Sequence, residues 1–369
     1  MIRFSDARAF SGRWPLVNDP SFLYVSDDPE KFSGQGKLFS AALPSDETVA
    51  RILFDHVNES GRPMQVIVAI ANTGNAPGRV AVAGCDAGPG PGIDGRNGML
   101  VGHVATIGFL RARMLTNGGS IAEFALAPSQ FKVINTPRTL QTATANPKRD
   151  GECTAGIYDF LALEPGTTYE VRVMACDPGR DASIWNDPLF QPAVNPQPAH
   201  RSGVFNIENA GKEKTIAFGA TASFGDVHYN RVPEFDPTTD TNQYKGEYGV
   251  TKRFTCTLGT ANSAFLYEST GSTGATASYI IGETLLSSHQ FLPTPDPKDL
   301  SKKQKHRVAE LTAPSTAVLT MADINSSLPV DLTVAADIPD VPGLGSPNPV
   351  VFEPTPPDDP AFKARAFTA

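Results

Sequence analysis

Short runs of β-branched and aromatic residues, cut off every few positions by proline or glycine, are the feature that most narrows what this chain can become. Thirty-two prolines and 32 glycines lie among its 369 residues. Proline removes a backbone donor and fixes φ, and glycine weakens a helix interior, so long helices are excluded over most of the length. Strands and turns remain. The run 65–71 is followed by a turn-rich stretch and a second run, 79–83, which predicts a hairpin. The run 157–163 leads through Pro165 and Gly166 into 169–175, which predicts another, with Tyr169, Val171, Val173 and Ala175 on one face. Further strands are expected at 203–207, 215–220, 248–258, 263–268, 275–281, 284–291, 307–311, 317–321 and 330–335.

Spacing of this kind favours antiparallel sandwiches, and the length favours two of them. We expect a mainly β fold of two antiparallel β-sandwich domains, Ig-like or jelly-roll-like, over 1–197 and 198–337. The boundary is set by Pro188, Pro192, Pro196 and Pro198. One helix is predicted over 97–117, where Leu100, Val104, Ile107, Leu110 and Met114 recur at helical spacing and Gly118 stands at the cap position. The segment 338–369 holds eight prolines from Pro339 to Pro360, so it should run as an extended tail over the surface or into a neighbouring subunit.

Charge excludes some partners. A formal net charge of −8 offers no attraction to phosphate backbones or anionic lipid, and no apolar run is long enough to cross a membrane as a helix. The basic cluster Lys298, Lys302, Lys303, Lys305, His306 and Arg307 lacks interleaved aromatics and reads as a solvated linker or edge.

Local motifs for chemistry are sparse. The glycine-rich stretch 84–95 lies between a strand and a helix, as a phosphate cradle would, but Pro89 and Pro91 remove the backbone donors such a cradle uses. A rigid connecting loop is the expectation there. The six histidines show no metal-binding pair spacing, and His56 and His103 read as hydrogen-bonded structural residues. Asp236, Asp240, Asn242 and Glu247 gather the hard oxygen ligands that calcium requires, as do Asp27 and Asp28 on a smaller scale, although aspartate and asparagine are also ordinary turn formers. Calcium is therefore the one cofactor candidate. Among Cys85, Cys153, Cys176 and Cys256, the pair Cys153 and Cys176 is the disulfide candidate, because the second hairpin would bring them together. No nucleophile elbow or other catalytic arrangement is visible, and we expect a protein without catalytic residues.

Leu163, Pro165, Gly166, Thr167, Tyr169, Val171 and Val173 form a segment that resembles fibronectin type III domains, in which the tyrosine forms a corner between two strands. That resemblance implies a sandwich with such a corner. Phe54, Asp55, His56 and Asn58 leading into 66–71, then Gly102 and His103, then Tyr248, Gly249 and Val250, are similar to extracytoplasmic bacterial β-sandwich proteins of unassigned activity. This second resemblance implies an extracellular or cell-surface location, although no signal peptide is visible at the start.

The expected function is that of a structural or interaction protein of a bacterial surface or extracellular assembly. Its partners would be other copies or other subunits, reached when 2–25 or the C-terminal tail joins a neighbour's sheet edge. Two alternatives have their own motives. Trp14, Trp185, Tyr229 and Tyr244, if exposed, would suit a carbohydrate-binding or glycan-active protein. The β-rich composition without an export signal would suit a virion structural protein.

Overall fold

The computed structural model describes residues 8–9, 20, 22–27, 31–44, 49–91, 101–102, 105–106, 108–110, 121–142, 151–164, 166–187, 202–207, 213–223, 227–232, 244–246, 249, 252–270, 277–281, 284–288, 304–312, 317–322, 331–336 and 350–351. The architecture is mainly β. Two compact units emerge, one holding Met1–Ile207 and Tyr229–Tyr244, the other Glu208–His228 and Lys245–Thr355. The chain thus passes between units more than once, where a single cut near 197 was expected. The physical reason is strand pairing beyond the proline-rich stretch, since residues 202–207 and 229–231 complete a sheet of the first unit.

In the first unit the strands run β1 (Arg8–Ala9), β2 (Phe22–Ser26), β3 (Lys31–Phe32), β4 (Gly36–Leu43), β5 (Val49–Asn58), β6 (Gln65–Asn72), β7 (Gly78–Pro91), β8 (Ile121–Leu126), β9 (Phe131–Val133), β10 (Glu152–Ala162), β11 (Tyr169–Cys176) and β12 (Ser202–Ile207). β13 (Glu213–Ala217) and β14 (Thr221–Ser223) belong to the second unit, whereas β15 (Val227–Arg231) and β16 (Tyr244–Gly246) join the larger of the first unit's two sheets. The larger has the order β1-β8-β7-β10-β5-β2-β12-β15-β16, with β3 also on β5, and the smaller the order β4-β11-β6-β9.

One face of each sheet closes the core. Ile52, Phe54, Val80, Val82, Tyr158 and Phe160 from the large sheet meet Val68, Ile70, Tyr169, Val171, Val173 and Ala175 from the small one. These positions alternate along their strands, as period-two geometry requires. The face predicted for Tyr169, Val171, Val173 and Ala175 is therefore the core face. The opposite face of the large sheet carries Val49, Ala81, Ala83 and Leu161. Helical residues Val101, Gly102, Ala105, Thr106, Gly108, Phe109 and Leu110 lie inside the predicted helix 97–117, and their burial makes them part of the interior rather than a surface appendage. No helix among the described residues is long and apolar enough to cross a membrane.

Both predicted hairpins are corrected. β6 pairs with β11 and β9, while β7 pairs with β10 and β8. β10 and β11 likewise fall in different sheets. Each connection crosses the sandwich, and this lets two apolar runs cover one another instead of lying side by side. Asn72 organises the first crossing: its amide donates to the Ala76 and Leu126 carbonyls at 2.8 and 2.9 Å, and its oxygen accepts the Gly74 N–H at 2.9 Å. At the second, Gly166 supplies the positive φ of 82°.

The glycine- and proline-rich stretch from 84 is strand as far as Pro91, not a loop. Its glycines admit close approach to β10: a Cβ on Gly84 would lie 2.3 Å from the Ile157 carbonyl oxygen and one on Gly88 2.7 Å from that of Cys153. A register shift in β10 between Cys153 and Ala155 marks the irregular pairing.

The expected disulfide is absent as well. Cys153 stands on β10 opposite Gly90 and Val57, and Cys176 on β11 opposite Gln65, in the other sheet. All four cysteines are buried thiols. Cys176 accepts a contact from the Gln65 amide at 3.5 Å, and burial pushes its thiol up to about 11.

The second unit continues with β17 (Lys252–Thr257), β18 (Ser263–Thr270), β19 (Ala277–Ile281), β20 (Thr284–Ser288), β21 (Gln304–Thr312), β22 (Ala317–Ala322), β23 (Asp331–Ala335) and β24 (Val350–Val351). They form two sheets, β13-β17-β22-β19-β20-β24 and β14-β23-β18-β21. Ile216, Cys256 and Leu258 are buried on the first side, and Ala264, Leu266, Leu311, Leu332 and Val334 on the second. The basic residues Lys305, His306 and Arg307 lie on β21, the outermost strand of its sheet, as the edge reading expects.

Candidate functional site

The first unit assembles several ionisable groups, and strand register explains how. Arg51 is the lone charge in the apolar run 49–54 that opens β5, whose ten residues are all buried. β10 sets Asp159 directly opposite it. The Arg51 Nε donates to Asp159 Oδ1 at 2.6 Å and its Nη2 to Oδ2 at 3.0 Å, and both side chains are wholly buried. The Phe109 ring centroid lies 4.7 Å from the guanidinium. Bidentate geometry and an aromatic lid offset the desolvation that two buried charges must suffer.

On the core face, Asp86 collects three donors. Tyr158 donates its hydroxyl to Oδ1, the Thr136 backbone N–H reaches the same oxygen at 3.2 Å, and Arg138 Nη1 reaches Oδ2 at 3.0 Å. Burial, reinforced by the Asp86 charge, holds the Tyr158 phenol well above its ordinary pKa. Farther along the same face, Ser26 Oγ and His56 Nε2 are 2.9 Å apart and both residues are fully buried. That contact fastens β2 to its neighbour β5. A serine–histidine pair that serves as nucleophile and base must be reachable by substrate; this one is enclosed by the sheets that carry it.

Asn135 does a related job with neutral groups. Its oxygen accepts the Val68 N–H at 2.8 Å and its amide donates to the Val66 carbonyl at 2.9 Å, so the side chain takes the place of a strand beyond the end of β9. A small hollow of about 10 Å³ is lined by Leu43, Pro44, Ala50, Val80, Phe160, Ala162 and Tyr169. It is apolar and no larger than a water molecule needs.

Tyr169, in the segment that resembles a tyrosine corner, ties the two sheets together. Its Oη donates to the Arg79 carbonyl at 3.2 Å, across 90 positions and between sheets. The Arg79 side chain, half exposed, pairs with Glu164 and with Glu123, the latter at 2.8 Å.

Several sequence candidates change standing. Trp185 is only 7% exposed, with Arg172 4.0 Å over its ring and Phe131 stacked at 6.1 Å, so it offers no open face to a sugar. It belongs to a 3₁₀ turn, Ala182–Asn186, capped by the Asp181 carboxylate on the Ser183 N–H at 2.8 Å. Trp14, His103, Asp28, Asp236, Asp240, Asn242 and Glu247 lie outside the described residues, as do the side chains of Tyr229 and Tyr244. Among the described residues no three His, Cys, Asp or Glu side chains come together as a metal would require. Within the expected N-terminal donor 2–25, the described strands pair inside the chain, β2 with β5 and β12 and the outermost β1 with β8.

Sequence reasoning missed Arg51 with Asp159 and Asp86 with Arg138. A signal existed in Arg51 and Asp159, each a charge inside an apolar run, because a buried charge demands a partner. The partner's identity depended on a register that sequence does not carry. No protein-family model matches the chain, and comparison with curated proteins returns no match.

Proposed function

We propose that this chain is a non-catalytic structural or interaction protein that works by assembly with other copies or subunits at a bacterial surface or in an extracellular structure. The observation that carries this reading is how the first unit uses its ionisable groups. Arg51 and Asp159, Asp86 with Tyr158 and Arg138, and His56 with Ser26 are all turned on one another within the sheets. Groups consumed in this way act as fasteners between strands. Outermost strands such as β21 and β24 leave sheet edges, which suit pairing with another chain.

Electron microscopy and light scattering of the concentrated protein test the reading. Filaments, shells or defined oligomers are the expected result, and a monodisperse monomer at every concentration overturns it.

A second reading, a virion structural protein, is favoured by the four buried thiols, which suit folding in a reducing compartment. Thiol titration of native particles under denaturing conditions separates the two. Four titratable thiols per chain support the virion reading, and oxidised cysteines support the exported one.

A further inference from the structure

The second unit carries one strand that differs in kind from the rest. β24 consists of Val350 and Val351 alone, pairing antiparallel with β20 through Ser287↔Val350 and Leu286↔Val351. It comes from the proline-rich tail and forms the outermost position of its sheet. β20 is five residues long, so this partner uses only two of its positions. Between β23 and β24 stand residues 336–349, with prolines at 339, 342, 347 and 349. Fourteen residues reach about 45 Å when extended, and proline favours that extended form over reversal.

We infer that β20 is an acceptor edge for the Val350–Val351 strand of a second copy of this chain, and that the pairing within one chain is the closed form of the same contact. This rests on the assembly reading above and names its interface. The occupant is identified by the structure itself, because the segment seated on β20 is the chain's own tail. An exchanged strand makes the same backbone hydrogen bonds in both forms, so exchange between copies loses no contacts and is opposed mainly by association entropy, which concentration overcomes. A partner strand held by two residue pairs at the end of a long linker is the element most readily exchanged. Each copy has one donor and one acceptor at different places, so a head-to-tail chain of copies, closed or open, is the expected product.

Full-length chains test this directly. One preparation carries Ser287→Cys and another Val350→Cys, register partners in the observed pair. The two are mixed at high concentration and treated with a short bis-maleimide, with the parent chain controlling for its four buried thiols. Covalent heterodimer is expected, and it should be lost when the donor also carries Val351→Pro, which removes a strand donor without touching β20. The doubly substituted Ser287→Cys, Val350→Cys chain should shift from internally linked monomer on dilution to linked oligomer on concentration. Assembly by light scattering with no intermolecular link overturns this interface while leaving the assembly reading intact. A chain that stays monomeric and links only internally overturns both.

Discussion

Two arginines in the first unit show how position decides what an ion pair is worth. Arg51 and Asp159 are bidentate and fully buried. Arg79 makes two carboxylate contacts, to Glu164 and Glu123, yet its side chain is 53% exposed. Counted as contacts they look alike. In water the second pair exchanges one set of strong hydrogen bonds for another, and little is gained. In the interior, loss of one partner leaves a charge that nothing else can solvate. At the Arg79 corner it is the main chain that carries weight, since its carbonyl receives the buried Tyr169 hydroxyl.

The contrast breaks most easily at Asp159. Asp159→Ala should cost about 3–5 kcal/mol, read as a lower urea midpoint in tryptophan fluorescence; a change below about 1 kcal/mol would mean that Arg51 finds water and that the interior account fails. Gly78→Ala should come next, at about 1–3 kcal/mol, because a Cβ there would meet Tyr169 Oη at 2.0 Å. Combining it with Tyr169→Phe should recover part of that loss, which the same unfolding measurement would show.

Tyr169→Phe alone should cost about 1 kcal/mol for the lost hydrogen bond. It also carries a pH signature. Burial, with the Glu164 charge behind it, pushes the Tyr169 phenol up to about 12. An unfolded tyrosine ionises near pH 10. The folded state therefore binds the proton more tightly, and the associated stability is whole below pH 10 and lost as pH rises toward about 12. Unfolding curves collected across that window should fall less steeply for the phenylalanine variant. Tyr24 and Tyr158, whose phenols are raised by burial too, keep a residual alkaline loss in both proteins. The smallest effect belongs to Arg79→Ala, whose midpoint should coincide with that of the parent at moderate salt. A large shift would show that the exposed side chain, and not the carbonyl, holds the corner.

The parts of the fold legible in sequence were those governed by local rules. The runs predicted from 203–207 to 330–335 each fall on or near a strand, because period-two patterning and turn residues act over a few positions, whereas β15, β16 and β24 were not predicted. Helical residues between Val101 and Leu110 fall inside the predicted 97–117 for the same reason. β5 escaped notice because it is buried on both faces and therefore does not alternate. The hairpins failed differently. Both runs of each were real strands, but short connections in this sandwich cross between sheets, and nothing in 72–78 or 164–168 distinguishes a crossing from a reversal. The Cys153–Cys176 pairing fell with the second hairpin, and the glycine-rich stretch was mistaken for a loop because its close fit against β10 is a property of two segments.

The sequence by itself determined the material: a strand-forming chain, poor in long helices, with isolated charges placed inside apolar runs. Tertiary structure alone decided which strand lies beside which, and so that Arg51 meets Asp159, that Asp86 gathers Tyr158 and Arg138, and that Val350 and Val351 return to β20. The physical reason is that strand propensity is local, whereas the partner of a strand edge or a buried charge is chosen by burial across the whole core.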